Sequence, residues 1–295
     1  MTKSSKKTSS PGRALLVSGP AVMWLSLFFF LPLLAITVIS FFSRSEYGEI
    51  AWPLTVENYQ RLAGFGFLGF DLLYPGILLR SLALGAGTAA LCLCAALPLA
   101  FFIARMGRFK NIALTLVMIP FWTNLLIRTY AWQLILSPES PVTRALHWLG
   151  LGAAGEAMYP GWLALSLGMV CDYLPFMVLP LYASVEKIDW SLAEAAMDLG
   201  AGRGQVFRHA IWPQILPGAV AGIILVLLPA TGQFVIPDLL GGAKTTMLGN
   251  AVQQQFTQNR DWPFGSAIAV VALALVLIGL WFYRRKAGGK ELDLA

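Results

Sequence analysis

Residues 161–185 read GWLALSLGMVCDYLPFMVLPLYASV, a run in which Asp172 is the only charged side chain. A transmembrane α-helix needs about 20 mostly apolar residues to cross the hydrocarbon core of a bilayer. The run is long enough to cross a membrane. It must cross as a helix, because an open strand in hydrocarbon would leave its backbone groups unpaired.

Further segments along the chain have the same length and apolar character. They lie between Arg13 and Arg44, between Arg80 and Arg105, from Lys110 through Arg128 toward Leu136, from about Gln214 to Pro237 and from about Phe264 to Tyr283. With the run at 161–185, they predict an all-α, polytopic membrane protein with six transmembrane helices.

The composition favours the same conclusion. Of the 295 residues, 57% are hydrophobic and 12% are charged, and the mean hydropathy is +0.69. Soluble domains carry roughly a quarter charged residues, because their surface faces water. We therefore expect the lipid bilayer as the main surroundings and a single transmembrane domain over residues 14–285.

Basic residues predict the orientation of the spans. Most of the 21 Lys and Arg residues fall in the tail 1–13, near residues 105–110, in the loop 186–213 and in the tail 286–295. Lys and Arg concentrate in cytoplasmic loops, so both termini and the loop between the fourth and fifth spans are expected to be cytoplasmic. The net charge of +6 is then a topology signal and does not predict nucleic-acid binding.

The loop that follows the quoted run reads EKIDWSLAEAAMDLGAGR over residues 186–203. Ser191 with Glu194 three residues later forms a capping box, a typical helix start, and Gly200 is expected to end that helix as its C′ residue. A second short helix should follow before Pro213. The result would be a helix-turn-helix outside the membrane.

An apolar stripe at helical spacing marks one face of the first loop helix. It consists of Leu192, Ala195, Ala196 and Leu199. A face of small residues suits docking into a groove of a partner protein. The alternative is a surface helix that only connects two spans.

The segment Glu194-Ala195-Ala196, with Gly200 six residues after the Glu and Pro213 beyond it, resembles the EAA loop of ABC-importer permeases. In that family the loop is the coupling helix that sits in a cleft of the cytoplasmic ATPase. The family pattern usually ends in Ile, any residue, Leu and Pro, where this chain has Ala210-Ile211-Trp212-Pro213. The resemblance implies roles in ATPase coupling for Glu194, Ala195, Ala196, Asp198, Gly200 and Arg203.

The resemblance also implies a location and partners. The chain would lie in a bacterial inner membrane with a cytoplasmic ABC ATPase dimer, a second homologous permease and a periplasmic substrate-binding protein. ATP would bind the partner, since Gly241–Thr245 lacks the upstream glycine of a phosphate loop and has Ala243 before Lys244. We expect a permease that has no catalytic residue and no cofactor of its own.

Four further blocks resemble the polyamine (spermidine/putrescine) branch of these permeases. They are Ile127–Trp132, Leu174–Pro180, Pro237–Gly242 and Asn259–Pro263. The resemblance implies that the chain forms half of a pore for spermidine or putrescine. Permeases for iron or another cation share several of these features and remain the alternative.

Asp172 is the best candidate for a contact with a polyamine ammonium group. It is expected near the middle of its span, where an ionisable residue is costly and by default functional. The alternative is a structural ion pair with Arg128. At 1.5 Å per residue, Arg128 would lie about 27 Å along a straight helix from Lys110, near the outer face, and the pair would be strained.

Aromatic and acidic side chains complete the expected pathway. Trp122, at a depth similar to that of Asp172, offers a cation–π face or packs between helices, and Tyr173 follows Asp172. Tyr130, Trp132 and Asp238 lie toward the outer end as an entry gate. Asp238, directly after Pro237, is equally suited to cap or end a helix.

Two rival classes lack supporting residues. A stand-alone secondary transporter needs ion-relay residues and usually internal repeats, and a membrane enzyme needs a catalytic constellation. Cys92, Cys94, Cys171, His147 and His209 are too few and too scattered to predict a disulfide framework or a metal site.

Overall fold

The computed structural model describes residues 11–45, 50–66, 69–150, 158–242 and 246–291. Most of the basic tail 1–13, the end of the tail 286–295 and the phosphate-loop-like residues 243–245 therefore lie outside the described residues. The α-helices in the described ranges are α1 (Pro11–Ile39), α2 (Glu57–Leu62), α3 (Leu73–Arg105), α4 (Lys110–Met118), α5 (Leu125–Ile135), α6 (Pro141–Trp148), α7 (Trp162–Val185), α8 (Trp190–Asp198), α9 (Arg203–Val206), α10 (Trp212–Gly232), α11 (Leu248–Thr257) and α12 (Trp262–Glu291).

Five helical stretches in the described residues are long and apolar enough to cross a membrane. They are Val22–Ile39 within α1, α3, α7, the continuous stretch Arg203–Gly232 and Trp262–Gly279 within α12. A sixth span results if the bent pair Gly107–Trp122 and Leu125–Ile135 crosses as one. The all-α polytopic prediction is confirmed, and α7 begins and ends within a residue of the predicted segment.

The third predicted span is not a straight helix. A 3₁₀ turn, Ile119–Trp122, follows α4, and α5 then leaves at an angle of 93°. Thr123 and Asn124 are extended, and the Asn124 side chain caps α5 by accepting a hydrogen bond from the Leu126 amide at 2.8 Å. Pro120 in the turn and this cap are the sequence features that break the helix.

The fifth span begins earlier than predicted and ends before Pro237. α9 runs through a π-helical turn, Phe207–Ile211, into α10, so the second short loop helix is the first part of the spanning helix. Pro213 sits in the first turn of α10, directly after the π turn. Proline lacks an N–H and is tolerated there, which explains why it does not separate the two helices.

The described residues form two compact units, residues 71–253 and residues 1–70 with 254–295. In the first, α7 packs against α3 and α10 around a buried core that includes Leu165, Met169 and Leu181. The helices approach closely at glycines: a Cβ on Gly222 would lie 2.6 Å from the Met177 Sδ, and one on Gly85 2.6 Å from the Thr231 Cγ2. Gly218 and Gly222 both lie at the close contact between α10 and α7.

The second unit contains α1, α2 and α12 with two short antiparallel hairpins. The hairpins pair Phe42–Arg44 with Ile50–Leu54, and Phe65–Gly66 with Gly69–Phe70. Their strands were not predicted from the sequence. Asp261, 2% exposed, accepts from the Phe264 amide at the start of α12 and lies 2.9 Å from the Arg61 Nη1. A single domain over residues 14–285 stays a prediction.

Candidate functional site

The helix α8 in the loop 186–213 begins two residues earlier than the capping box predicted. Its N-cap is Asp189, whose Oδ1 accepts from the Ser191 amide at 3.0 Å. The capping box of Ser191 with Glu194 is therefore wrong. Asp189 also belongs to the residue types that cap helices, and its extended backbone places its carboxylate over the first turn.

The end of α8 is the one that the sequence predicted. Gly200 has a positive φ of 83° and occupies C′. Its amide donates to the Met197 carbonyl at 2.9 Å, and the Ala201 amide donates to the Ala196 carbonyl at 3.0 Å. This pair of bonds is the Schellman motif, in which glycine avoids the penalty that a Cβ would bring.

The predicted apolar stripe of α8 is largely exposed. Leu199 is 90% exposed, Leu192 and Ala195 are also exposed, and Ala196 is half-buried. Ala193, which lies beside the stripe, is buried. Large apolar side chains left open on a helix outside the spans are typical of an interaction surface. This exposure favours docking over a helix that only connects two spans.

The other predicted coupling residues lie on the same exposed loop. Glu194, Asp198, Gly200 and Arg203 are all exposed. Arg203 begins α9, behind Gly202, whose amide donates to the Gln205 Oε1 at 2.9 Å. The structure thus brings the predicted coupling set together on one short segment.

Gln214 anchors this loop and was missed at the sequence level. Its Oε1 accepts from the Asp189 amide at 2.9 Å, and its Nε2 donates to the Ala210 carbonyl at 2.8 Å. The available signal was a polar amide at the start of an apolar span, where an unpaired polar group is costly.

Asp172 and Arg128 form an ion pair. Asp172 is 8% exposed, and its Oδ1 accepts from the Arg128 Nη2. The Arg128 Nη1 also donates to the Pro120 carbonyl at 2.5 Å. The prediction of a strained pair assumed a straight third helix, and that assumption is wrong. The 93° bend carries Arg128 back against α7.

The remaining predicted pathway residues occupy different surroundings. Trp122 is 77% exposed at the end of the 3₁₀ turn, and Tyr130 is exposed on α5. Trp132 is half-buried and shares with Arg128 a cavity of about 420 Å³ between α4, α5 and α7. Tyr173 is buried, and its hydroxyl accepts from the Gln233 Nε2 at 3.3 Å.

Asp238 lies in the first turn of a second π-helical segment, Pro237–Gly241, and is exposed. This segment is held near Trp132, because the Gln133 Nε2 donates to the Leu239 carbonyl at 2.8 Å. The Gly161 amide donates to the Leu240 carbonyl at 2.9 Å, at the start of α7. The structure thus brings the elements that carry Trp132 and Asp238 together, and Gln133 was not predicted.

A second ion pair lies at the other end of α7. Lys110 donates to Glu186, the first residue after α7. This hydrogen bond, with a further contribution from Tyr182, lowers the pKa of the Glu186 carboxyl below its ordinary value. Glu186 is exposed, so the shift comes from the bond rather than from burial.

No group of three or more His, Cys, Asp or Glu side chains is placed to hold a metal ion in the part of the chain that the structure describes. The three cysteines are unpaired thiols.

A known protein family and several known proteins are similar in sequence to this chain. Residues 96–286 match the protein family described as "Binding-protein-dependent transport system inner membrane component". The chain is 40% identical over 278 residues to the spermidine/putrescine transport system permease protein PotB of Salmonella typhimurium (strain SL1344), covering 93% of this chain and 94% of that protein. It is 40% identical over 264 residues to PotB of Escherichia coli (strain K12), covering 88% and 94%.

A solved structure has the same fold. A chain of the bacterial alginate ABC transporter, in complex with an alginate pentasaccharide-bound periplasmic protein, matches with a TM-score of 0.64. The match covers 93% of this chain and 96% of that one at 18% identity. At this identity the likeness concerns the fold alone.

Proposed function

We propose a cargo and a set of partners for this chain, which belongs to the inner membrane components of binding-protein-dependent transport systems and is a permease subunit of an ABC importer. It is a multi-pass inner membrane protein. The cargo is a polyamine, spermidine or putrescine. The observation that carries this proposal is the 40% identity, over nearly the whole chain, to permeases that are named for these two compounds.

The buried carboxylate of Asp172 supports a cationic cargo. A polyamine is a flexible chain of ammonium groups, and its passage needs negative charge or aromatic faces at membrane depth. Aromatic rings surround the segment that follows Asp172: the Phe121 and Phe176 centroids are 4.6 Å apart, and those of Tyr173 and Phe176 are 6.3 Å apart. Asp172 contacts the ammonium groups of the cargo, and Arg128 pairs with the Asp172 carboxylate when no cargo is present.

Trp122, Tyr130, Trp132, Tyr173 and Asp238 form the rest of the proposed pathway. The link between Gln133 and Leu239 supports a gate in which α5 and the segment Pro237–Gly241 act together. In this gate Trp132 and Asp238 meet the cargo first. Tyr173 and Asp172 lie further along, on α7.

The exposed face of α8 docks into a cytoplasmic ABC ATPase dimer, through Glu194, Ala195, Ala196, Asp198, Gly200 and Arg203. Both termini and the loop 186–213 are then cytoplasmic. ATP binds only to the ATPase, and this chain holds no cofactor. A periplasmic binding protein delivers the polyamine, and a second homologous permease forms the other half of the pore. Closure of the ATPase moves α8, and this motion opens the translocation pore alternately outward and inward.

The test is uptake of labelled spermidine and putrescine by the assembled transporter in proteoliposomes, beside labelled ferric iron and a labelled sugar. We expect polyamine uptake that depends on ATP. Uptake of iron or sugar in place of polyamine would contradict the cargo.

Asp172→Asn sharpens the test, because it removes the negative charge and keeps the shape of the side chain. We expect polyamine uptake to fall about tenfold, as for a loss of about 1.4 kcal/mol, while the complex still assembles. Asp71→Asn is the matched control: Asp71 is exposed at the start of α3 and its Oδ1 accepts from the Leu73 amide, a bond that Asn retains. Unchanged uptake in Asp172→Asn would remove Asp172 from the pathway.

A further inference from the structure

One side chain, Gln214, joins the loop helix α8 to the fifth span. Its Oε1 accepts from the Asp189 amide at 2.9 Å, and its Nε2 donates to the Asp189 carbonyl at 3.4 Å. A side-chain amide offers a donor and an acceptor together, and here both main-chain groups of the α8 cap residue are satisfied by it. The partners are 25 residues apart in sequence, so the contact links two separate elements.

Gln214 also forms a hydrogen bond within its own helical segment. Its Nε2 donates to the Ala210 carbonyl at 2.8 Å, inside the π turn Phe207–Ile211. In a π turn the backbone pairing shifts from the fourth to the fifth residue, and such turns are frequent at functional sites. The amide is therefore held from both sides: by α8 through Asp189 and by the start of the span through Ala210.

The face of α10 that carries Gln214 also carries two glycines that lie very close to α7. Gly218 and Gly222 follow Gln214 at intervals of four residues, and side chains at this spacing share a helix face. A Cβ on Gly218 would overlap Ser184 and Pro180 of α7, and one on Gly222 would lie 2.6 Å from the Met177 Sδ. With so little space between α10 and α7, a displacement of one moves the other.

These contacts form a continuous path from the loop to the middle of α7. It runs from Asp189 through Gln214 to Gly218 and Gly222, and then to Met177, which lies five residues after Asp172 on the same helix. We propose that Gln214 is the positioning residue through which motion of α8 reaches the spanning helices α10 and α7. The inference rests on the proposed docking of an ATPase against α8.

The first test measures the mechanical link in the purified chain without an ATPase. Nitroxide labels are attached at Ser191→Cys on α8 and Leu225→Cys on α10, both exposed positions, after replacement of Cys92, Cys94 and Cys171 by Ser. Double electron–electron resonance spectroscopy then gives the distribution of distances between the two nitroxide labels. We expect one narrow distribution in the parent and loss of that narrow distribution in Gln214→Leu.

Gln205→Leu is the matched control. Gln205 lies in the same loop and also accepts from a backbone amide, but its partner is Gly202, three residues away. Its removal deletes a local bond and leaves the link between α8 and α10 intact. The inference is overturned if Gln214→Leu keeps the narrow distribution, or if Gln205→Leu broadens it as much.

The second test measures coupling in the complete transporter, as polyamine molecules taken up per ATP hydrolysed. We expect Gln214→Leu to lower this ratio about fivefold, the lower end of typical coupling effects, while the ATPase stays bound. A residue that only stabilised the fold would lower uptake and hydrolysis together and leave the ratio unchanged. An unchanged ratio, or loss of ATPase binding in Gln214→Leu alone, would overturn the inference and leave the proposed function standing. A wild-type complex that binds no ATPase would overturn the docking proposal itself.

Discussion

The loop helix α8 and the ion pair between Arg128 and Asp172 are stabilised in opposite ways. α8 is exposed and is defined by bonds between close neighbours, from the Asp189 cap at one end to Gly200 at the other. The ion pair is partly buried, with Asp172 8% exposed, and joins residues that are 44 positions apart. Because local bonds define the conformation of α8, the helix can bind a partner as a rigid element.

The ion pair depends on its surroundings instead. It forms only because α4 and α5 meet at a sharp bend, and Arg128 also satisfies the Pro120 carbonyl at that bend. A buried charge without its partner is costly, whereas an exposed charge is solvated by water. Removal of Arg128, which leaves the buried Asp172 carboxylate unpaired, should therefore act first on stability, and changes on the exposed face of α8 should act on coupling.

The largest effect on stability is expected for Arg128→Leu, which leaves the Asp172 carboxylate buried without a partner. Loss of one partner of a buried pair costs about 3–5 kcal/mol, and we expect a decrease of this size in the free energy of unfolding in detergent micelles. The double variant Arg128→Leu/Asp172→Leu is the control and should recover most of the loss. A single variant as stable as wild type would show that the pair is not a buried, coupled unit.

The next effect is expected for Glu194→Lys on α8. Charge reversal at the proposed docking surface should reduce ATP-driven uptake at least about 30-fold, the effect of 2 kcal/mol at an interface. The free energy of unfolding should stay within about 0.5 kcal/mol of wild type because Glu194 is exposed.

Glu139→Lys is the control for Glu194→Lys, since Glu139 is also exposed but lies just before α6, outside the loop. Uptake in this variant should equal that of wild type. Full coupling in Glu194→Lys would show that α8 does not dock as proposed.

A smaller effect is expected for Asp189→Ala, which removes the cap of α8. Loss of an N-cap costs about 1 kcal/mol, and we expect amide hydrogen exchange in the first turn of α8 to accelerate about fivefold, the equivalent factor. Ser191→Ala tests the cap that the sequence pattern indicated, and exchange there should barely change. The reverse result would place the cap at Ser191.

The smallest effect concerns Glu186. Its pKa is lowered in the folded chain by the hydrogen bond from Lys110, so the unfolded state binds a proton at higher pH than the folded state. The stabilisation is present above the ordinary carboxyl pKa of about 4.3 and is lost as the pH falls through the lower, folded-state value.

Lys110→Met should abolish this part of the pH dependence, seen as a flatter plot of melting temperature against pH below about pH 5. Lys187→Met is the control, because it leaves the bond between Lys110 and Glu186 in place and Lys187 makes only the smallest contribution to the lowered pKa of Glu186, so most of the slope should remain. An identical slope in wild type and Lys110→Met would exclude the ion pair as its source.

Residues 161–185 and the third span show which features of a transmembrane helix can be predicted from sequence and which cannot. Both contain prolines, but α7 passes through Pro175 and Pro180 as one helix, whereas the third span breaks just after Pro120. Asn124, a good N-cap residue four positions after Pro120, was a readable sign of the break. The angle of 93° was not, because it depends on what α5 packs against.

The amino-acid sequence by itself determined the apolar spans, the position of the loop between the fourth and fifth of them, and the glycine that ends α8. These features depend on composition and on bonds between near neighbours, and both can be read along the chain. Only the tertiary structure decided that Arg128 reaches Asp172 and that Gln214 holds Asp189. Each of these contacts joins distant residues, and its geometry is set by how helices bend and pack rather than by the local order of residues.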